Sequence, residues 1–381
     1  MKILFLVQGE GRGHLTQAIS LSQILRHAGH EISGVMVGKS IGRIIPSFFH
    51  KQIEAPVYEF DAPNIIYNSD GGGMNLKRTL STLVFNLPQY FKSLRFIHHS
   101  VQEIKPDLII SFYETFGGTY NILYRSKIPM ICIAHQFLLL HPKFVFPENS
   151  RFNRIIINLN SKAASWLATK RLALSFREME SKNEQKITVV PPLLRKEIRS
   201  LQTSAGEFFL VYMTHHSLSK QIINWHSEHP EIQLHCFWDN ADASDVFKYD
   251  ETLTFHRINS EKYLQMLASC KALVTTAGFE SVCEAMYLGK PVMMVPVPNH
   301  FEQECNALDG VISGAGVRCK TFDLSVLLEY LPKHQDQSEK FRKWYQLGED
   351  IFVKEINTVR EKPHLTKPIH ARMQFPKTIA S

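Results

Sequence analysis

Short apolar runs alternate with helical stretches along this chain, and the alternation happens twice. In the first half, residues 3–7, 32–37, 107–111 and 130–134 are such runs. Residues 14–28 carry Leu15, Ala18, Ile19, Leu21 and Leu25 at helical spacing, and Gly29 closes the stretch. In the second half the strand-like runs are 208–213, 232–237, 253–255, 272–275 and 292–296, with helices clearest over 261–270 and 280–288. Strands separated by helices pair in parallel and need cover on both faces. Pro191 and Pro192 end the first series, and a polar stretch follows them. The expected fold is therefore α/β, with two Rossmann-like, doubly wound parallel-sheet domains. They span residues 1–190 and 207–337, joined by a linker over 191–206. A chain of 381 residues has room for both. Residues 338–361 read as one C-terminal helix bearing Phe341, Trp344, Tyr345, Ile351 and Phe352, and 362–381 as a loosely held tail.

Ligands of such sheets sit at the carboxyl ends of the strands. Three places there carry chemistry. After the strand at 272–275 come Thr276, Ala277, Gly278, Phe279, Glu280 and Ser281, a small-residue turn opening a helix. Free N–H groups and the helix dipole make that start an anion site. Glu284 lies one turn further in, where a carboxylate can accept two hydrogen bonds from a vicinal diol. Phosphate on the turn and a diol on Glu284 together describe a nucleotide. Glu302 and Gln303, after the next strand, suit sugar hydroxyls. The second place is the loop Gln8-Gly9-Glu10-Gly11-Arg12-Gly13-His14. Its glycines allow close approach to the backbone. His14 stands at a helix start, where the dipole favours the neutral ring a base requires. A dinucleotide fingerprint would want an acid ending the second strand; that strand ends Val37-Gly38-Lys39. The third place is the rim shared with His14. There Glu114 follows the strand at 107–111, and His135 and Gln136 follow the one at 130–134.

The ordered run Thr276, Gly278, Ser281, Glu284, Gly289, Pro291, Glu302, Gln303, Asn306 and Ala307 resembles the donor signature of inverting B-fold (GT-B) nucleotide-sugar glycosyltransferases. That group includes plant-type UDP-glycosyltransferases and the bacterial lipid-intermediate N-acetylglucosaminyltransferase. The resemblance implies two domains facing across a cleft, acceptor on the first and donor on the second. It also implies a C-terminal helix crossing back to the first domain. Phe279 falls with the donor residues. Thr214 and His215, after the strand at 208–213, match the loop that holds donor phosphate in relatives. His14 matches their catalytic base, with Gly11, Gly13, His135 and Gln136 facing acceptor. Plant-type members place an acid near Glu114, which could orient His14 or serve as base itself. Glu280 departs from the pattern, since plant-type members carry Asn there. A carboxylate beside a diphosphate is repulsive, so either it points away or the backbone alone holds phosphate.

The implied activity is transfer of a hexosyl group from a nucleotide sugar, a UDP-sugar by resemblance, to a hydroxyl acceptor by direct displacement. Helix termini and hydroxyls stabilise the leaving charge, so neither a metal nor a cofactor is expected. There is no Asp-x-Asp motif and no zinc-like Cys/His spacing. Two other readings share the nucleotide site. A nucleotide-sugar epimerase would need no acceptor, and a non-enzymatic sugar-nucleotide binder would not need His14.

The charge is uneven. Residues 1–205 hold 25 Lys and Arg against 14 Asp and Glu, while residues 206–381 hold 18 against 22. Two acid-free stretches fall in the basic half. One, 71–102, bears Lys77, Arg78, Lys92 and Arg95; the other, 149–177, bears Arg151, Arg154, Lys162, Lys170, Arg171 and Arg177. They suit an acidic or lipid-linked acceptor and an anionic membrane surface. No nucleic-acid module is recognisable. The six cysteines are scattered, and no apolar run approaches a bilayer span. No secretory signal opens the chain. The expectation is a cytoplasmic protein, peripheral on the inner face of the membrane.

Overall fold

In a computed structural model, which describes residues 1–64, 66, 75–213, 216–240 and 243–361, the two series of apolar runs form two separate sheets. The first half runs β1 (Lys2–Gln8), α1 (Arg12–His27), β2 (Glu31–Lys39), α2 (Ser47–Gln52), β3 (Val57–Asp61), α3 (Leu76–Phe85) and α4 (Leu87–Ile104). It continues through β4 (Leu108–Phe112), α5 (Thr115–Tyr124), β5 (Met130–Ala134), α6 (Arg151–Ala164), β6 (Lys170–Leu174) and β7 (Ile187–Val190). The second half runs β8 (Phe209–Tyr212), α7 (Ser219–Glu228), β9 (Leu234–Trp238), β10 (Val246–Lys248), β11 (Leu253–Arg257) and α8 (Ser260–Ser269). Then come β12 (Ala272–Thr275), α9 (Phe279–Tyr287), β13 (Val292–Met294), α10 (Phe301–Ile312), β14 (Gly316–Arg318) and α11 (Ser325–Tyr330). Two more helices close the described chain, α12 (Ser338–Gln346) and α13 (Gly348–Glu361).

Strand order is β3-β2-β1-β4-β5-β6-β7 in one sheet and β10-β11-β9-β8-β12-β13-β14 in the other. Every described pairing is parallel except β10 with β11. The order reverses between β1 and β4, and again between β8 and β12. These switch points open crevices at the strand ends. His14 follows β1 and Glu114 follows β4 at the first; the turn 276–278 follows β12 at the second. Ile3, Leu4, Phe5, Leu6 and Val7 of β1 are all fully buried, as a central parallel strand must be.

Two long helical stretches are each broken in two. The break at 75–105 falls at Asn86, and Pro88 sits in the first turn of α4, where its missing N–H has no bond to lose. It opens a helix instead of kinking one. The single C-terminal helix expected over 338–360 is interrupted at Leu347. α13 packs on β7 and α1, and Lys170 pairs with Glu355. From α12, Trp344 Nε1 donates to the Ser175 carbonyl at 3.0 Å.

The two halves also meet through Arg177, after β6, which pairs with Asp309 of α10 and bonds Ser313 Oγ at 2.7 Å. Asp309 is buried, so removing its partner leaves a charge stranded. Arg177→Ala should destabilise the fold by about 3 kcal/mol, and Asp309→Asn in the same chain should recover much of it. Chemical denaturation of both variants measures this.

Candidate active site

The glycine loop is shaped by close packing. A Cβ on Gly9 would meet Ile45, Val37 and the Gly38 carbonyl at 2.8–2.9 Å. Glu10 accepts from the Ser40 amide and hydroxyl, tying the loop to the end of β2. Gly11 is the exposed N-cap of α1. A Cβ on Gly13 would stand 3.3 Å from Glu280 Cγ, so this glycine lets α9 approach α1 across the cleft.

His14 is half-buried, with Nδ1 3.2 Å from Gln17 Oε1. Gln17 Nε2 in turn donates to Glu280 Oε1 at 2.6 Å. In this arrangement the amide nitrogen faces the carboxyl and its oxygen faces the histidine. An acceptor at Nδ1 means that Nδ1 carries the hydrogen and Nε2 the lone pair. Burial pulls the imidazole below its ordinary 6.5, against opposing pulls from the Glu302 charge and the Gln17 bond. The ring stacks on Tyr113, with centroids 5.9 Å apart and planes 19° from parallel. Tyr113 holds a left-handed backbone at φ 55°, an uncommon state for an aromatic residue. Its hydroxyl lies 2.9 Å from Ser161 Oγ and accepts from Asn160 Nδ2 at 3.1 Å.

Glu114 does not serve as the ring's hydrogen-bond partner. Its Oε1 accepts from the Phe116 amide at 3.2 Å, capping α5, and its carboxyl fills the space beside Gly38. The cap is the physical reason: the first N–H groups of a helix need an acceptor, and Glu114 precedes them. Burial pushes this carboxyl up to about 8.

On the second domain, Ala277 adopts φ 58° and its carbonyl accepts from Asn306 Nδ2 at 3.1 Å. This leaves Gly278 as an N-cap without a side-chain bond, facing open space. The first turn of α9 therefore carries no side-chain cap. Thr276 is buried beneath the turn, and Ser281 lies against the Tyr263 hydroxyl. Glu284 is buried and already carries a partner that its local sequence does not reveal. Arg195, from the interdomain linker, places Nε 2.6 Å from Oε1. Glu284 Oε2 is sealed from solvent with no partner among the described residues. One oxygen, not two, is uncommitted.

Several expected ligand contacts are occupied within the protein. Phe279 stacks on His135 at 4.0 Å and leans on Phe176 at 4.6 Å, forming an apolar wedge between the halves. His135 is buried with Nδ1 bonded to the Leu174 carbonyl at 2.8 Å. Gln136 Nε2 donates to Glu302 Oε1 at 3.0 Å, bridging the cleft. Gln303 Oε1 accepts from the Val297 amide at 2.8 Å and shapes its own loop. Thr214 and His215 lie outside the described residues. Glu280 does point away from the turn, toward Gln17. Burial pushes it up to about 8, with Glu284 adding to the shift and Gln17 and Arg195 opposing it.

Gln17, Tyr113 and Arg195 were not singled out from sequence. Gln17 stands three residues after His14 on one helix, a spacing that places both on one face. Nothing local marks Tyr113 or Arg195. Among the described residues no group of three His, Cys, Asp or Glu side chains could hold a metal ion.

Residues 1–333 match the glycosyl transferase family 1 profile, and the chain belongs to that family. It is a GT-B glycosyltransferase. It is 24% identical to the UDP-N-acetylglucosamine--N-acetylmuramyl-(pentapeptide) pyrophosphoryl-undecaprenol N-acetylglucosamine transferase of Fusobacterium nucleatum, over 78% of each chain. In solved structures it is similar to the glycotransferase of kitacinnamycin (TM-score 0.64, 15% identity, 94% of this chain and 98% of that one). It is also similar to MurG of Acinetobacter baumannii (TM-score 0.52, 15% identity, 94% and 100%).

The buried carboxyls have a consequence for stability. Glu114 and Glu280 titrate near 8 when folded, well above the ordinary 4.5. Across roughly pH 6.5–8 the folded chain holds protons that the unfolded chain has lost, so stability falls as pH rises. The melting temperature should decline over that window, and less so in Glu114→Gln, which keeps the capping oxygen.

Proposed function

We propose that this enzyme is an inverting transferase, moving a hexosyl group from a UDP-sugar to a hydroxyl by direct displacement, with His14 as general base. The observation that carries the reading is the pairing of two features across one cleft. On one side is a neutral imidazole whose Nδ1 is tied to Gln17, leaving Nε2 for a substrate proton. On the other is the uncapped start of α9, suited to a diphosphate. As the acceptor oxygen attacks the anomeric carbon, its proton passes to His14 Nε2. The bond to the diphosphate oxygen breaks, and the amides of α9 receive the developing charge. Glu284 Oε2, sealed in the free chain, takes a ribose hydroxyl once donor enters, with Arg195 fixing the other oxygen. Glu114 supports the fold of this rim, not the proton transfer.

Turnover is followed as UDP release from UDP-N-acetylglucosamine, with and without an undecaprenol-pyrophosphoryl acceptor. His14→Ala should keep UDP affinity and lose about 10²–10⁴-fold in turnover. Glu284→Ala should weaken UDP by roughly 2 kcal/mol in isothermal titration. Equal UDP release without any acceptor would favour an epimerase or hydrolase instead. Binding of UDP with no turnover would leave a sugar-nucleotide binder.

We also propose a lipid-linked acceptor, presented at an anionic bilayer on the cytoplasmic side. Among the described residues no helix is long and apolar enough to cross a membrane. Helices α3, α4 and α6 nevertheless leave Leu80, Val84, Phe85, Phe91, Phe152 and Leu159 more than half exposed. They are interleaved with Lys77, Arg78, Lys92, Arg95, Arg151 and Arg154. Apolar insertion and basic attraction act together at such a surface, at about 1 kcal/mol per basic residue near the headgroups. Vesicles rich in phosphatidylglycerol should sediment the protein at low salt, and neutral vesicles or high salt should release it. Changing Lys77, Arg78, Lys92 and Arg95 to Glu should abolish the sedimentation. An enzyme that ignores anionic vesicles at low salt would have its acceptor in solution.

A further inference from the structure

The hydrogen-bond chain leading away from His14 crosses from one domain to the other. Gln17 is buried at 3% exposure, and it uses both ends of its amide. Its oxygen meets His14 on α1, and its nitrogen meets Glu280 on α9. Among the described residues these are the two side-chain hydrogen bonds of the amide. With the amide reversed, its nitrogen would face Nδ1, and the ring would carry its hydrogen on Nε2. That tautomer has no lone pair for the acceptor proton. The second observation is steric. Glu280 reaches Gln17 because residue 13 is glycine: a Cβ there would stand 3.3 Å from Glu280 Cγ, inside ordinary contact. Glu280 also belongs to the helix whose first turn forms the anion site, so whatever seats that helix also seats the carboxyl.

We propose that Gln17 and Glu280 are positioning residues that set the tautomer of His14 across the interdomain cleft, so that the base is completed by the donor-binding helix. The role rests on the reading of His14 as the base. The chain conducts no proton. Gln17 keeps its two amide hydrogens, and the acceptor's proton stays on His14 Nε2 until products leave. Glu280 contributes an accepting oxygen, and its second oxygen, Oε2, is sealed from solvent with no partner among the described residues. A carboxyl that burial holds near 8 suits this role, because its work is to accept from an amide and not to balance a fixed charge. The groups facing it are Gln17 from α1, Arg195 from the linker and Glu284 one turn along α9.

Two measurements test this on the full chain with UDP bound. The first is the ¹⁵N histidine spectrum, with His14 identified by its loss in His14→Ala. Wild type and Glu280→Gln, which retains an accepting oxygen, should show the Nδ1–H tautomer. Gln17→Leu and Glu280→Leu should show a mixture or the Nε2–H form. An unchanged Nδ1–H tautomer in both leucine variants overturns the proposal. The second is UDP release from UDP-N-acetylglucosamine with the acceptor preparation used above. Gln17→Leu and Glu280→Leu should each lower kcat about 10-fold or more with KM for donor little changed, the scale of one buried hydrogen bond. Neither should lower the residual rate of His14→Ala further, because both act through that ring. An added loss on the His14→Ala background would mean that the two residues act elsewhere, and overturns the proposal while leaving the base intact. Full turnover in His14→Ala would instead remove the base itself, whatever the tautomer. Melting temperatures close to wild type in Glu280→Gln keep the comparison free of unfolding.

Discussion

A carboxylate removed from water must find a donor, and the cleft of this enzyme is organised around that requirement. Four acidic side chains on the second domain's cleft face are each answered by a group from the first 195 residues. Glu280 meets Gln17, Glu284 meets Arg195, Glu302 meets Gln136 and Asp309 meets Arg177. Such contacts add little net stability, because desolvation offsets attraction, but each is costly to break on one side only. They therefore act as registration. In this arrangement of the halves each of the four carboxyl groups has a partner from the first 195 residues. In that arrangement the loop after β1 faces the start of α9. The stacked His135–Phe279 pair fills the apolar gap between the polar contacts.

Two of these carboxyl groups also have a second electrostatic role or an uncommitted oxygen. Glu284 gives one oxygen to Arg195 and keeps one sealed and uncommitted. Glu302 gives an oxygen to Gln136 and also acts electrostatically on His14. A buried acceptor without a donor is unfavourable, and several such acceptors gather near the start of α9, which has no side-chain cap. The turn that creates this helix start is itself strained. Ala277 sits at positive φ, and the Asn306 amide holds its carbonyl.

The sequence announces the architecture through its central strands. β1, β4, β5, β8, β9 and β12 are apolar because both their faces are covered, and their runs stand out. The edges are less legible. β3 reads Val-Tyr-Glu-Phe-Asp and is largely exposed, and β14 is three residues opening on Gly316, whose absent Cβ lets the Val292 carbonyl approach. The order of residues also places His14 after β1, the turn at 276–278 after β12 and Glu284 on α9, because short spacing holds these elements together. It does not reveal that Glu114 caps α5, a local need indistinguishable from a catalytic acid in one dimension. It overlooks Arg195 and Tyr113, whose roles come from contacts 89 residues away in one case and from a strained backbone in the other. Glu280 shows the reverse case. Its departure from the usual pattern is plain in the sequence, but its reason is visible only when α1 and α9 face each other.

The uneven charge is also resolved by geometry. The basic surplus of the first half suggests attraction to something outside the protein. Part of it is spent inside, since Arg177 and Lys170 answer acids of α10 and α13, and Arg195 of the linker answers α9. These pairs are buried or half-buried and are screened little by salt. What remains is concentrated on α3, α4 and α6, on faces whose apolar residues lack cover, and there each charge stands in water. The two populations have different physical meanings. The first holds the two domains in register, and the second lies on the surface outside these contacts. A net charge cannot distinguish them, but burial does.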